Sequence, residues 1–335
     1  MTRAIAGQRF IIVGGAGFIG SHFTDHLLGA GQAAAVTLFD NFSSGREWHY
    51  AQHAKDARLR VVRGQVEDTA ALTAAMEGND VVIHLASNPD IARAATEPTI
   101  DFEQGTALTS SVVEAMRRTT TAKRILYASG SGVYGDLGQL EAAEDHGPLL
   151  PVSTYGASKL AGEALIGSYA YMFGLSGCAF RFGNVVGPRQ THGVGFDFAR
   201  RLLASMAAGE DPIRLRILGD GSQSKSYVYI EDIVAAVLTA HQKAATPFAT
   251  FNVGTGDYIT VTEIAELAVA AVGLPADKVK FDYTGGDRGW KGDVPVVRIN
   301  SARITGLGWQ CKHSSRQALE RSIGAMLPDL KAGRM

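Results

Sequence analysis

Residues 9–22 read RFIIVGGAGFIGSH, an apolar run followed at once by closely spaced glycines and a segment of helical period. Gly15, Gly17 and Gly20 fit the spacing G-x-G-x-x-G, and Gly14 with the last two gives a wider version. Glycines there allow a tight turn and let backbone amides at a helix N-terminus approach a pyrophosphate without an intervening Cβ. The stretch predicts the first βα unit of a dinucleotide-binding fold.

Asp40 ends the next apolar run, AAVTLFD (34–40), twenty residues beyond Gly20. A carboxylate at this position accepts hydrogen bonds from the adenosine ribose hydroxyls and repels a 2′-phosphate, which favours NAD over NADP. Arg46 follows six residues later and is a candidate partner for a 2′-phosphate, so NADP stays an alternative.

Apolar runs of strand length recur along the first half of the chain and alternate with segments of helical period. They cover residues 9–15, 34–40, 59–64, 80–87, 123–129 and 177–184. Continuously apolar strands alternating with helices indicate a parallel sheet covered on both faces. We therefore predict a doubly wound α/β (Rossmann) fold.

Loops become more frequent after about residue 185, which indicates a smaller, partly interleaved α/β substrate lobe. We expect residues 1–185 to form the NAD-binding Rossmann domain, with 223–256 returning to it. Residues 186–222 and 257–335 are expected to form the nucleotide-sugar-binding lobe.

Composition excludes several classes of partner. The 335 residues include 32 basic and 33 acidic side chains with no block of like charge, which disfavours a nucleic-acid groove or an anionic membrane surface. Cys178 and Cys311 are too few for a disulfide framework, and the N-terminus lacks the pattern of a signal peptide. No apolar run approaches about 18 residues, and no Cys/His spacing suggests a metal. We expect a cytoplasmic protein.

Tyr155 and Lys159 lie in the stretch YGASK, four residues apart. On a helix that spacing places both side chains on one face. A phenol is a poor base at neutral pH, but a neighbouring ammonium and an oxidised nicotinamide stabilise its phenolate. Tyr155 is therefore a candidate acid/base; the alternative is an ordinary half-exposed helical pair.

These motifs together resemble the extended short-chain dehydrogenase/reductase family, in its NDP-sugar epimerase and dehydratase branch, and most of all the UDP-glucose 4-epimerase-like group. The resemblance is carried by GGAGFIG, Asp40, IHLAS, VYG, YGASKLAGE and NVVGPR, and it continues in LGDGSQSKSYVYIEDIV, FNVGTGDYITVTEIAE and GWKGDVP. It implies a homodimer that binds NAD and a nucleotide sugar. It also implies that Tyr155 takes the proton of the sugar 4-hydroxyl while the C4 hydride passes to NAD, and that Lys159 tunes Tyr155 and holds the nicotinamide ribose.

The resemblance implies a further set of cofactor contacts. They are Gly14, Gly17, Phe18, Ile19, Gly20, Asp40, Asn41, Gln65, Val66, Leu85 and Ala86, beside Tyr155 and Lys159. Gln65 stands where relatives usually have an Asp that holds the adenine amine, and its amide oxygen can still accept that hydrogen bond.

The family's Ser or Thr that bonds the reacting oxygen, three residues before the Val of VYG, is Gly130 in this chain. Ser129 and Ser131 flank it, and we slightly favour Ser131 as the replacement because Ser129 is expected to end a strand. A substrate group or a water molecule is an alternative, and both serines are also ordinary turn formers.

Sugar 4,6-dehydratases of this branch carry an Asp-Glu pair directly after that Ser or Thr, and here the two positions hold Ser131 and Gly132. The resemblance therefore favours an NAD-dependent UDP-sugar 4-epimerase with a transient 4-keto intermediate. A dehydratase or oxidoreductase of the same family, or a catalytically impaired nucleotide-binding sensor, stays an alternative.

Contacts to the nucleotide sugar carry over from the family as well. They are expected at Asn184, Arg189, Lys225, Arg288 and Asp293. Gly105 and Val297 stand where some relatives have an Asn and a bulky aromatic, so the pocket is expected to admit N-acetylated or uronic sugars.

Overall fold

A seven-stranded parallel sheet forms the centre of the fold, as seen in a computed structural model that describes residues 3–334. The strands of the chain are β1 (Arg9–Val13), β2 (Ala35–Asp40), β3 (Leu59–Arg63), β4 (Val81–His84), β5 (Arg124–Gly130), β6 (Ser176–Phe182), β7 (Asn184–Val186), β8 (Ile213–Ile217), β9 (Ser224–Lys225), β10 (Tyr227–Tyr229), β11 (Phe248–Val253), β12 (Ile259–Thr260) and β13 (Val279–Tyr283). The helices are α1 (Phe18–Leu28), α2 (Thr69–Met76), α3 (Leu108–Arg118), α4 (Thr154–Phe173), α5 (Val194–Ala207), α6 (Ile230–Lys243), α7 (Val261–Val272), α8 (Ala302–Gly306) and α9 (Ser315–Lys331). The central sheet has the order β11-β6-β5-β4-β1-β2-β3.

Strand β1 is buried on both faces because its side chains alternate between two apolar cores. Phe10 and Ile12 pack into the core that α1 and α6 cover. Ile11 and Val13 pack into the core that α2, α3 and α4 cover. This double coverage explains why the strands read as continuous apolar runs, and it confirms the predicted doubly wound α/β fold.

The strand order reverses at β1, which has β4 on one side and β2 on the other. In an open parallel sheet such a switch point leaves a crevice beyond the carboxyl ends of the strands. The turn after β1 and the loop after β4 both open into this crevice, so residues far apart in sequence meet there.

Most of the chain beyond β6 forms the smaller lobe, whereas α6 packs on the central sheet. Helix α5 packs against α7 and α9, while β8 pairs with β13 in parallel and β9 pairs with β12 in the antiparallel sense. Strand β11 leaves this region and joins the central sheet beside β6. The lobe is therefore interleaved in sequence with the sheet domain.

Within residues 3–334, none of the helices has the length and apolar character needed to cross a membrane.

Candidate active site

A cleft of about 840 Å³ lies at the switch point of the sheet, between the sheet domain and the lobe. All the residues that the sequence assigned to the cofactor line it, from Gly14 after β1 to Ala86 after β4. Tyr155 and Lys159 line the same cleft. The structure thus brings the glycine turn and the Tyr-x-x-x-Lys motif to one site.

Three of the four glycines in the turn differ in the space that the protein leaves for a Cβ. A Cβ on Gly14 would lie 2.6 Å from the backbone nitrogen of Ala86, and Gly14 has a φ of +82°. A Cβ on Gly20 would lie 2.5 Å from the carbonyl oxygen of Gly15. A Cβ on Gly17 would meet nothing nearer than 3.7 Å. The fold itself therefore requires Gly14 and Gly20, whereas the space at Gly17 is open to a ligand.

Asp40 lies at the end of β2 and is almost fully buried. Its carboxylate accepts hydrogen bonds from the backbone N–H of Ala16 at 2.9 Å and of Phe42 at 2.7 Å. Arg46 donates to the carbonyl of Gly45 at 2.8 Å and does not line the cleft. The Arg46 guanidinium, the candidate partner of a 2′-phosphate, is therefore bonded to its own loop and not exposed in the cleft. This arrangement weakens the NADP alternative.

Helix α4 positions Tyr155 and Lys159. The hydroxyl of Ser153 caps its N-terminus by accepting from the N–H of Gly156 at 3.1 Å. Tyr155 lies in the first turn, and the ammonium of Lys159 lies one turn later, 5.3 Å from the centre of the Tyr155 ring. Lys159 also donates to the carbonyl of Ala128 at 2.9 Å. The helix thus places the two side chains together and β5 holds the lysine.

Burial perturbs both groups of this pair. It raises the pKa of Tyr155 to about 12, and the negative charge of Asp101 acts in the same direction. Burial also lowers the pKa of Lys159 to about 8. The protein alone therefore keeps the phenol protonated at neutral pH. A cationic group brought into the cleft shifts the balance towards the phenolate.

Ser129 lines the cleft, but its hydroxyl is engaged in a buried hydrogen-bond network. Its hydroxyl donates to the carboxylate of Glu163 at 2.6 Å, and Glu163 is paired with Arg181 at 2.8 Å. Side chains of β5 alternate between the faces of the sheet, so Ser129 points to α4 together with Tyr127. A catalytic role of Ser129 stays a prediction, and its bond to Glu163 favours Ser131 of the two serines.

Ser131 and Gly130 both line the cleft. Ser131 begins a 3-10 turn at Ser131–Tyr134, and its hydroxyl makes no hydrogen bond with residues 3–334. A Cβ on Gly130 would lie 3.9 Å from the ring of Tyr155 and meet nothing nearer. A gap thus exists beside Tyr155 at the position where the resemblance implies a hydroxyl.

The predicted substrate contacts fall into two groups. Asn184, Lys225 and Asp293 line the cleft on the lobe side, and the Lys225 ammonium is paired with the Asp293 carboxylate. Arg288 and Arg189 do not line it. Lys225 and Asp293 therefore hold each other in the absence of a ligand.

Arg288 and Arg189 each form hydrogen bonds that link separate segments of the protein. Arg288 donates to Asp136 and to the carbonyl of Asp293, each at 2.6 Å. Arg189 is paired with Asp25 on α1 and donates to the carbonyl of His49 at 2.8 Å. Their contact with substrate stays a prediction that this structure does not favour, because both guanidinium groups are bonded within the protein and neither lines the cleft.

Gly105 is not part of the sugar pocket, contrary to the sequence interpretation. A Cβ there would lie 2.5 Å from the hydroxyl of Ser158 on α4, so the missing side chain makes room for helix packing. Val297 does line the cleft. One of the two small residues thus still supports a roomier pocket.

Sequence reasoning missed three polar residues near Tyr155. Ser87 and Asn88 line the cleft after β4, and Asn88 donates to buried Asp101 at 2.9 Å. Asp101 also accepts from the hydroxyl of Thr154 at 2.7 Å. In the sequence, Ser87 ends the stretch IHLAS just after a predicted strand, and this position could have identified it as a site residue. No comparable sequence pattern marks Asp101.

Comparison with known proteins agrees with this geometry. The sequence model of the NAD dependent epimerase/dehydratase family matches residues 10–254. A UDP-glucose 4-epimerase of Mycolicibacterium smegmatis is 30% identical over 94% of this chain and 97% of its own. A dTDP-glucose 4,6-dehydratase of an Actinoplanes species is 29% identical over 87% of this chain and 90% of its own. The crystal structure of a UDP-galactose 4-epimerase superposes with a TM-score of 0.83 at 32% identity, over 96% of this chain and 100% of the other.

Proposed function

We propose that this chain, which belongs to the NAD-dependent epimerase/dehydratase family, is a UDP-sugar 4-epimerase. The cofactor of the family is NAD. The observation that carries the proposal is the composition of the cleft around Tyr155. There the positions of the dehydratase acid and base hold Ser131 and Gly132, and both line the cleft.

The remaining carboxylates of the cleft do not supply that pair. Among the described residues, those lining it are Asp40, Glu67 and Asp293. Asp40 and Glu67 lie beyond β2 and β3, at the end of the cleft with the glycine turn, and Asp293 is paired with Lys225. Loss of water from C5 and C6 of a sugar needs an acid and a base beside the ring. Epimerisation needs only one acid/base, which supports the proposal.

The residues present fit the cofactor. Gly17 leaves open space at the N-terminus of α1, where backbone N–H groups favour a diphosphate. Asp40 would hold the adenosine ribose, and Gln65 with Val66 would contact the adenine. Lys159 would hold the nicotinamide ribose. Bound at these residues, NAD would supply the reversible hydride acceptor that the reaction at C4 of the sugar needs.

Tyr155 would perform the proton transfer at O4. As phenolate it takes the proton of the 4-hydroxyl, and it returns that proton to O4 after the 4-keto sugar has turned about its diphosphate link. Lys159 would stabilise the phenolate through its positive charge. Ser131, with a free hydroxyl at the cleft, would contact the sugar. No net oxidant or reductant is consumed.

The lobe side of the cleft would bind the nucleotide diphosphate. Lys225 supplies a positive charge there, and Asn184 supplies an amide. Asp293 would accept from the nucleotide ribose once Lys225 turns towards phosphate. The relative from Mycolicibacterium smegmatis and the superposed crystal structure both bear names of UDP-sugar epimerases, which supports a UDP-sugar.

We also propose a homodimer that pairs through α4. Tyr171 and Met172 near its C-terminal end are 75% and 72% exposed, and Phe102 before α3 is 63% exposed. Exposed large apolar side chains that lie side by side, as Tyr171 and Met172 do in sequence, commonly mark an interaction surface. Light scattering coupled to size-exclusion chromatography is expected to give twice the mass of the chain, and Tyr171→Glu with Met172→Glu is expected to give the monomer.

Product analysis by NMR tests the function. The protein is incubated with UDP-, dTDP- and GDP-hexoses without added NAD or reductant. We expect one UDP-hexose to equilibrate with its C4 epimer while no NADH accumulates. A 4-keto-6-deoxy sugar, or a stoichiometric build-up of NADH, would contradict the proposal and favour a dehydratase or an oxidoreductase.

A further inference from the structure

Strand β5 has a glycine, Gly130, at the position from which the resemblance leads us to expect a hydroxyl beside Tyr155. Gly130 leaves a gap beside the ring of Tyr155, and Ser129 next to it is held by Glu163. A buried phenol that must ionise is normally aided by a hydrogen-bond donor, since hydrogen bonding to the charged form favours that form. The donor must therefore come from another element.

Ser87 lies in the loop after β4, on the opposite side of the same cleft end. It lines the cleft together with Tyr155 and Lys159. Its hydroxyl oxygen is buried and has no hydrogen-bond partner within residues 3–334. Buried hydroxyl groups are nearly always paired, so an unpaired one at a ligand cleft indicates a partner that forms in another state of the site.

We propose that Ser87 is the positioning residue of the acid/base centre, which donates its hydroxyl hydrogen bond to the phenolate oxygen of Tyr155 and so replaces the hydroxyl that Gly130 lacks. This inference rests on the proposed role of Tyr155. The proton balance is simple. Tyr155 gains the O4 proton, the hydroxyl of Ser87 keeps its own proton, and the hydrogen bond between them reverses direction when Tyr155 is protonated.

The charges around Tyr155 explain why such a donor matters. Asp101, buried before α3, raises the pKa of Tyr155 in addition to the effect of burial, whereas the hydroxyl of Ser87 lowers it. Lys159 faces the ring from α4, and Tyr127 faces it from β5. His84, at the end of β4, is buried near Lys159 and has its pKa lowered by burial to about 3, so it is neutral. Ser87 is thus the neutral donor among these groups that acts against burial and Asp101.

The hydroxyl of Ser87 lies near enough to the phenol to lower the Tyr155 pKa as a hydrogen-bonding group, but its oxygen makes no hydrogen bond of full geometry within residues 3–334. The protonated phenol has little need of a donor. Ionisation adds a full negative charge at the oxygen and makes a charge-assisted hydrogen bond favourable. The contact is therefore expected in the ionised state.

Direct titration of Tyr155 tests the proposal without any sugar. Ultraviolet absorbance of tyrosinate is recorded against pH for the NAD-containing protein, and the curve of Tyr155→Phe is subtracted for each background. We expect Ser87→Ala to raise the Tyr155 pKa by roughly 1 unit, in line with the loss of one hydrogen bond to the charged form. Ser87→Thr is expected to restore it, and Ser168→Ala, an exposed serine on α4, is the matched control.

Two results would overturn the inference: an unchanged Tyr155 pKa in Ser87→Ala, or a shift caused by Ser131→Ala instead. Ser87→Cys replaces the hydroxyl by a weaker donor of similar size, so we expect an intermediate shift of the Tyr155 pKa. This variant tests the proposal if Ser87→Ala does not fold. Bound NAD, measured after denaturation, reports whether each variant has an intact cleft. Because the titration needs no turnover, failure of the epimerase proposal in the NMR assay is distinguishable from failure of this one.

Discussion

The buried carboxylate of Asp101 accepts a hydrogen bond of 2.7 Å from the hydroxyl of Thr154, the residue directly before Tyr155. Its other oxygen accepts from Asn88 at 2.9 Å. Asp101 therefore ties the start of α4 to the loop after β4, and it places a fixed negative charge near the phenol. Both effects are open to experiment.

Asp101→Asn is expected to lower the pKa of Tyr155, because the negative charge that raises it is removed while the shape of the side chain is kept. The phenolate is the active base, so activity rises with pH through this pKa and the rising limb moves to lower pH. The pH profile of kcat measures the shift. A limb that stays in place, or moves to higher pH, would show that Asp101 acts only through packing.

Tyr155→Phe is expected to lower turnover by about 10²- to 10⁴-fold, the usual contribution of a general acid/base. Bound NAD is expected to stay, since the ring and Lys159 are retained. Tyr283→Phe, at the half-exposed end of β13, is the matched control. Full turnover in Tyr155→Phe would remove Tyr155 from the chemistry, whereas a wild-type protein that binds nucleotide sugars without turnover would indicate a sensor.

Gly17→Ala is expected to impair NAD binding, whereas Gly14→Ala is expected to lower the stability of the fold. At Gly17 a Cβ fits the protein, so the variant should fold with an unchanged melting temperature and lose NAD affinity. At Gly14 the positive φ and the contact of 2.6 Å with Ala86 should destabilise the fold by about 1–3 kcal/mol. Thermal unfolding and NAD titration separate the two. Equal loss of stability in both variants would contradict the assignment of the Gly17 space to a ligand.

Glu163→Ala is expected to destabilise the protein by about 3–5 kcal/mol, because it leaves the buried guanidinium of Arg181 without its partner. Chemical denaturation measures the change. The exposed pair of Arg93 and Glu97 is the control, and Glu97→Ala is expected to change stability by no more than about 0.5 kcal/mol. If Glu163→Ala changes the free energy of unfolding as little as Glu97→Ala does, the Arg181 guanidinium must find another partner or reach solvent.

Acid is expected to destabilise the protein below about pH 6.5. Burial lowers the pKa of His22 to about 4 and the pKa values of His84 and His241 to about 3. Their unfolded-state pKa is about 6.5, so the unfolded chain binds more protons and stability falls as pH falls from 6.5 towards 3. Each histidine contributes at most about 1.4 kcal/mol per pH unit. Melting temperatures that stay level from pH 7 to pH 5 would contradict this expectation.

Local sequence was enough for the framework of the fold. The apolar runs predicted the six sheet strands from β1 to β6, because the inner strands are covered on both faces; the edge strand β3 is partly exposed and still contains two adjacent valines. The glycine spacing located the turn after β1, and the four-residue spacing of Tyr155 and Lys159 placed both on one face of a helix. Each of these patterns depends on neighbours within one or two elements, so the sequence carries it directly.

Only the tertiary structure decided which polar side chains face the cleft. Ser129 and Ser131 differ by two residues and both line the cleft, but the hydroxyl of Ser129 is bonded to Glu163 on α4 whereas that of Ser131 has no such partner. Arg189 is satisfied by Asp25, far away in sequence, and Ser87 comes beside Tyr155 only because β4 and α4 meet at the switch point. A polar group has the same local pattern whether or not a distant partner satisfies it, because that partner is chosen by packing and not by its neighbours in the chain.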